Sequence, residues 1–332
     1  MHLFLLQCLP LVLLAGFLVH LLLPALPWQP KDSQRPWLAA GFPMLSFVLA
    51  GILLWLWTQR TGSTTFWSQH LWIWWSSPKW VLSVSLRWDA LSMLWVFLLT
   101  GLGSLLPFAI PEPPTKEGHR RQTLLLGLQS AMLWFFLSSG LWMLLVGWQA
   151  VSIFGALLLA TPSRAGEPSS QSRWWGFQFS GDAGLWLGLV ILLSGLQQLS
   201  TTSPQTLDFA TVQSQLSKLT TLKLTGLPLL EIVGLLWVLA IVGKSEQHFF
   251  SVWLTQTEDS PVSAQVLLQS FTVVVMGVFL LARLPQLTLV APLSMMLLML
   301  LVGTSASLVL VVPDVDSLCC CCCRCWWFCC CC

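Results

Sequence analysis

Long apolar stretches separated by short polar ones set the pattern of this chain. A helix needs about 20 apolar residues to cross a bilayer. Stretches near that length run over Leu3–Leu26, Trp37–Trp57, Ala90–Ile110, Thr123–Ser139, Leu141–Ala160, Gly181–Leu196, Leu227–Val242, Val262–Arg283 and Leu289–Val312. The pattern therefore predicts about nine spanning helices. Lipid offers no hydrogen-bond partners, so every backbone group must be satisfied within the protein. The predicted fold class is all-α: a polytopic transmembrane helical bundle.

Four of the connections between these segments stand out. Residues 61–88 are rich in Trp with Ser and Thr between, and read as an interfacial hairpin, because Trp favours the headgroup level. Residues 111–122 read as a loop with Pro punctuation. Residues 161–180 hold Arg164, Glu167 and Arg173 and also read as a connection. Residues 198–226 are rich in Ser, Thr and Gln, with Phe209–Leu222 spaced as a surface amphipathic helix. The start, Met1-His2-Leu3, lacks a positive n-region, so a cleaved signal peptide is not expected. The Lys/Arg difference between loops is too slight to set an orientation.

Composition sharpens the class. The chain is 56% hydrophobic and 8% charged, where soluble domains carry about 25% charged residues. With a net charge of +2 and no basic patch, nucleic acid is excluded as a partner. There is no Tyr, no Asn and an abundance of Trp, 21 in all. That combination reads as a codon bias, such as an unusual organellar genome imposes. Cysteine is almost confined to a low-complexity tail, residues 319–332. Zinc and iron–sulfur sites need spaced ligands, which a homopolymer run does not offer, so no metal site is expected there.

A few residues stand out against the apolar background. Lys244, beside Gly243, ends a strongly apolar segment. A charge near the bilayer centre costs roughly 3 kcal/mol on insertion scales. Lysines at such places face a protein interior or a water path, so Lys244 reads as part of an ion or proton relay; the plainer reading is a lysine snorkelling from a helix end. The polar run Ser245-Glu246-Gln247 followed by Phe249-Phe250 suggests a helix that breaks and resumes, an arrangement that places ion sites at the break. Glu246 is close, but i and i+2 point to different helix faces. Glu231, 13 residues upstream of Lys244, is about 20 Å away along a helix, too far to pair with it. Asp182 and Asp89 each open an apolar helix and fit equally an acid stabilised by the helix dipole. Gln149 and Gln269 are amides inside spanning segments; they can hydrogen-bond across helices or line a water path but cannot titrate.

The order of these features resembles a known family, subunit 5 of proton-pumping NADH:ubiquinone oxidoreductase (respiratory complex I), relatives of the Mrp-type antiporter subunits. Four stretches carry the likeness: Asp89-Ala90-Leu91-Ser92-Met93; Gly147-Trp148-Gln149; Arg164-Ala165 with Gly181-Asp182-Ala183-Gly184; and Gly243-Lys244-Ser245 through Pro261-Val262-Ser263-Ala264 to Gly277–Arg283. The resemblance implies an antiporter-like fold of inverted five-helix repeats. On it, Lys244 matches the broken-helix lysine of the proton path. The family's fifth-helix glutamate, which tunes that lysine, is replaced by Gln149, and its eighth-helix histidine falls at Gln269. With the usual acid gone, Glu246 is the candidate to compensate Lys244. The implied proton pathway comprises Lys244, Glu246, Gln149, Asp182, Gln269 and Glu231, with no catalytic, cofactor-binding or metal residue on the chain.

The expected organisation follows: residues 1–120, N-terminal helices with the Trp-rich hairpin; 121–285, a first antiporter-like repeat; 286–318, the start of an incomplete second repeat; and 319–332, the cysteine tail. The implied function is that of a core membrane-arm subunit, contributing to proton translocation coupled to NADH:ubiquinone electron transfer. NADH, FMN, iron–sulfur clusters and ubiquinone would be bound elsewhere in the complex. The alternatives are a truncated, non-conducting scaffold subunit and an Mrp-type cation/proton antiporter subunit. Expected partners are other membrane-arm subunits, membrane lipids and a separate chain supplying the missing C-terminal half, with the cysteine tail near that junction. The expected location is the mitochondrial inner membrane, with a bacterial plasma membrane as the alternative.

Overall fold

The structure is a computed structural model that describes residues 2–25, 31–59, 65–161, 171–199, 205–224, 226–244, 262–268, 273–284 and 291–300. The main elements are helices α1 (His2–Leu22), α2 (Arg35–Thr58), α3 (Ala90–Ala109), α4 (Lys116–Phe136), α5 (Leu141–Leu159), α6 (Gln171–Leu199), α7 (Phe209–Leu219), α8 (Leu229–Lys244), α9 (Val262–Leu267) and α10 (Val273–Arg283). A further helical run covers residues 292–300. Among the described residues, five helical runs are long and apolar enough to cross a membrane: Leu3–Ala25, Asp32–Thr58, Ala90–Ala109, Leu141–Leu159 and Gly181–Leu199.

The chain divides into two compact units. The first contains α1 to α5. Here α1 packs on α2 and α4, α2 packs on α3, and α4 also packs on α3 and α5. Helix α4 is buried along nearly its whole length from Arg121 to Phe136. Close helix approach explains how: a Cβ at Gly127 would lie 2.4 Å from the Phe154 ring, and one at Gly147 would lie 2.9 Å from the Phe135 Cα. The lipid-facing side of this unit remains apolar, with Met44, Phe47 and Val48 of α2 exposed. Exposed apolar side chains are at no disadvantage where the solvent is hydrocarbon.

Helix α4 corrects an expected boundary. It begins at Lys116, so the second half of the expected 111–122 loop is helical. Thr115 provides the reason: its hydroxyl accepts from the Gly118 N–H at 3.1 Å, and Glu117 sits in the first turn, where an acid is favoured. Asp89 likewise caps α3, accepting from the Ser92 N–H at 3.0 Å and from Arg87 Nε at 2.8 Å, in line with its reading as a helix-opening acid.

The Trp-rich segment between α2 and α3 is a β-hairpin, β1 (Trp67–Ser76) and β2 (Trp80–Trp88), paired antiparallel from Trp67 with Trp88 to Ser76 with Val81. The bundle is therefore not purely helical. The hairpin reaches the bundle through β2, whose Arg87 N–H donates to the Leu137 carbonyl and whose Ser85 carbonyl accepts from the Ser139 N–H. A short β3 (Gln205–Thr206) continues the sheet in parallel beside β2. Trp72, Ile73, Trp74 and Trp75 stay exposed, as an element at the membrane surface allows.

The second unit contains most of α6, with α8, α10 and residues 292–300. Helix α6 corrects another boundary: it starts at Gln171, inside the stretch expected to be a connection. Gln171–Ser180 contains no proline to stop a helix. Helix α7 fits its reading as an amphipathic helix: Val212, Leu216 and Leu219 are buried on one face while Ala210 and Lys218 are exposed.

Candidate functional site

The site is built by α6 and α8 within the second unit. Lys244 is the last described residue of α8, and Asp182 lies eleven positions into α6 from Gln171. Lys244 Nζ is 3.4 Å from Asp182 Oδ1, and each side chain is only 3% exposed. A charge of either sign alone at this depth would be expensive to hold. Together they form a buried ion pair, whose stability rests on both partners being present.

What lets the two groups meet is a seam of small residues. Gly181, Gly184 and Gly188 fall at helical spacing on α6 and turn toward α8. A Cβ on Gly181 would touch the Gly243 Cα at 3.4 Å. One on Gly184 would sit 2.6 Å from the Leu236 carbonyl oxygen, and one on Gly188 would sit 2.5 Å from Trp237 Nε1. Small residues let helix backbones approach closely in membranes. Here that approach brings a short aspartate within reach of a lysine on the neighbouring helix.

Asp182 is thus not a helix-opening acid. It stands mid-helix and is the counter-charge of Lys244. The sequence reading placed Asp182 on the pathway yet assigned compensation of Lys244 to Glu246. The spacing of Gly181, Gly184 and Gly188 was the overlooked signal, since it marks the α6 face against which another helix closes.

Glu231 has a different task. It is buried in the first turn of α8, and its two carboxylate oxygens accept from the Leu293 and Ser294 N–H groups, each at 3.2 Å. Those donors belong to the opening turn of helix 292–300, where N–H groups lack partners within the helix. Glu231 therefore ties that helix to α8. Gln149 is half-buried on α5 in the first unit. Glu246 and Gln269 lie outside the described residues, as do the expected helix break past Lys244, the stretch beyond residue 300 and the cysteine tail.

Two features escaped the sequence reading. One is a buried ion pair in the first unit, Arg121 Nε to Glu112 Oε2 at 2.7 Å, with Ser263 Oγ donating to the other Glu112 oxygen. The other is a stack of His20 on His119, ring centroids 6.2 Å apart, with His119 Nε2 2.8 Å from the His20 carbonyl oxygen. Glu112 and His119 fall in the stretch that the pattern marked as a loop, so nothing in it signalled burial. Among the described residues no group of His, Cys, Asp and Glu is arranged to hold a metal ion.

Comparison with known proteins supplies the context. Residues 138–311, more than half of the chain, match the family described as NADH:quinone oxidoreductase/Mrp antiporter, transmembrane. NAD(P)H-quinone oxidoreductase subunit 5 of the chloroplast of a Saccharum hybrid is 27% identical over 292 residues, covering 86% of this chain and 37% of that protein. NADH-quinone oxidoreductase subunit L of Mycobacterium tuberculosis is 26% identical over 267 residues, covering 79% of this chain and 40% of that one. The chain thus spans less than half the length of these relatives. Two solved structures share the fold: the Mrp complex from Dietzia sp. DQ12-45-1b, with a TM-score of 0.69 at 16% identity over 94% of this chain and 32% of that one, and respiratory complex I from Thermus thermophilus with bound NADH, with a TM-score of 0.66 at 20% identity over 93% of this chain and 61% of that one. With its membrane helices, its α6–α8 site and its match across residues 138–311, the chain belongs to the NADH:quinone oxidoreductase/Mrp antiporter family of transmembrane subunits.

Proposed function

We propose that this chain is a core membrane-arm subunit of a complex I-type NADH:quinone oxidoreductase and carries protons across the membrane during electron transfer. The observation that carries the reading is the buried Lys244–Asp182 pair at 3.4 Å. A lysine with an acid partner in a low-dielectric site can hold or release a proton as the partner approaches or withdraws. That is the chemistry a proton relay needs. The pair also answers the objection raised by Gln149: the acid missing from α5 has a counterpart on α6. This favours a conducting subunit over an inert scaffold.

The redox chemistry belongs to other chains, with NADH, FMN, iron–sulfur clusters and the quinone bound there. The proposed partners are the other membrane-arm subunits. The proposed location is the mitochondrial inner membrane, which the coding bias favours over a bacterial plasma membrane.

The test uses the assembled complex in sealed proteoliposomes. Proton uptake per NADH oxidised is compared between the wild type and Lys244→Met. A lower ratio with electron transfer retained is expected. An unchanged ratio in a fully assembled complex removes Lys244 from the proton path and returns the chain to the scaffold reading.

A further inference from the structure

A cleft of about 840 Å³ opens in the first unit, whereas the Lys244–Asp182 pair belongs to the second. Its wall is made where α1 and α3 end, α2 and α4 begin and α5 ends, so it lies at one end of that helix bundle. The level of that end is marked by Trp37, two-thirds exposed, whose ring meets Phe108 edge-on at 4.9 Å. Tryptophan in that setting belongs at the headgroup level.

The cleft has two kinds of surface. Phe17, Leu21, Phe154 and Leu157 supply apolar wall. Lys116 and Arg120 supply positive charge, one helical turn apart on α4 and so on one face. Two acids line the cleft, and both are engaged; Glu117, in the same turn of α4, is not part of the lining. Glu112 is held by Arg121 and Ser263, and Asp32 faces Arg35 at 3.2 Å. Among the described residues, Lys116 and Arg120 make no ion pair.

We infer that this cleft binds an anionic phospholipid, with the phosphate on Lys116 and Arg120 and the acyl chains along the Phe17, Leu21 and Leu157 wall. A soluble anion would satisfy the two cations and leave the apolar wall against water. A neutral lipid would cover the wall and leave the cations uncompensated. A phospholipid with net negative charge meets both demands at once. Each basic residue near an anionic membrane surface contributes about 1 kcal/mol, so two of them together give a preference of roughly thirtyfold.

The delipidated full chain is titrated with phosphatidylglycerol and with phosphatidylcholine in detergent, and bound lipid is read by native mass spectrometry. The wild type is expected to take phosphatidylglycerol about thirtyfold more tightly than the Lys116→Gln/Arg120→Gln variant does. The charge-keeping Lys116→Arg/Arg120→Lys variant should bind as the wild type does. Both side chains are exposed, so all three proteins should melt alike, and that is checked in parallel. Equal retention by wild type and Gln variant, or equal binding of the two lipids by the wild type, overturns the inference. So does inorganic phosphate displacing phosphatidylglycerol at comparable concentration, since that would mark a site for the free anion.

Discussion

Replacing Asp182 by Asn removes one negative charge from the α6–α8 seam and leaves the shape of the side chain intact. At the observed 3.4 Å, an effective dielectric of about 20 gives an attraction of about 5 kcal/mol. Desolvation of both ions offsets part of it, so the net worth of the pair is smaller. The loss of one partner is nevertheless severe, because it strands the other: breaking a buried pair costs about 3–5 kcal/mol. The assay is unfolding in mixed detergent, followed by the fluorescence of the chain's tryptophans, for Asp182→Asn, Lys244→Met and the double variant. Each single variant should lose stability, and the double variant should lose less than the sum of the two, because it strands no charge. A coupling energy of at least about 2 kcal/mol is expected, within the range for residues in direct contact. Effects that add to within about 0.5 kcal/mol would refute the pairing. In the assembled complex, both single variants should also lower proton translocation.

Gly184→Val should push α6 away from α8, since its Cβ would meet the Leu236 carbonyl oxygen at 2.6 Å; a loss of about 1–3 kcal/mol is expected, and the Asp182–Lys244 coupling measured in that background should fall toward zero. Glu231→Ala should free the Leu293 and Ser294 amides at a cost of about 0.5–2 kcal/mol, seen as faster hydrogen exchange at the start of helix 292–300. Asp208, in the polar segment before α7, has its carboxyl pushed above the ordinary carboxylate range, chiefly by burial, with a Thr206 hydrogen bond and the nearby His70 opposing the shift. An acid whose pKa is raised in the fold favours the folded state below its unfolded pKa and loses that contribution as pH rises through the folded value. Asp208→Asn should therefore gain melting temperature relative to wild type as pH rises from acid toward neutral, and a gap that stays constant across that range would contradict the reasoning.

The sequence alone determined the class of the molecule and the position of most spanning helices. Lipid demands apolar runs of a fixed length with internal hydrogen bonds, and that demand is written one residue at a time. Starts such as that of α3 were legible because Asp89 is a local cap. Lys244 was legible for the same reason: a charge in an apolar run is conspicuous without any knowledge of its neighbours. Its partner was not. Asp182 and Lys244 are separated by more than sixty positions, and only the closing of α6 on α8 through Gly181, Gly184 and Gly188 brings them to 3.4 Å. Glu231 carries the same lesson. Its charge was visible, but its task depended on where the amides of Leu293 and Ser294 came to rest. Hydrophobic patterning is a local property of the chain. Which charges meet is decided by helix approach, and that distance exists only in the tertiary structure.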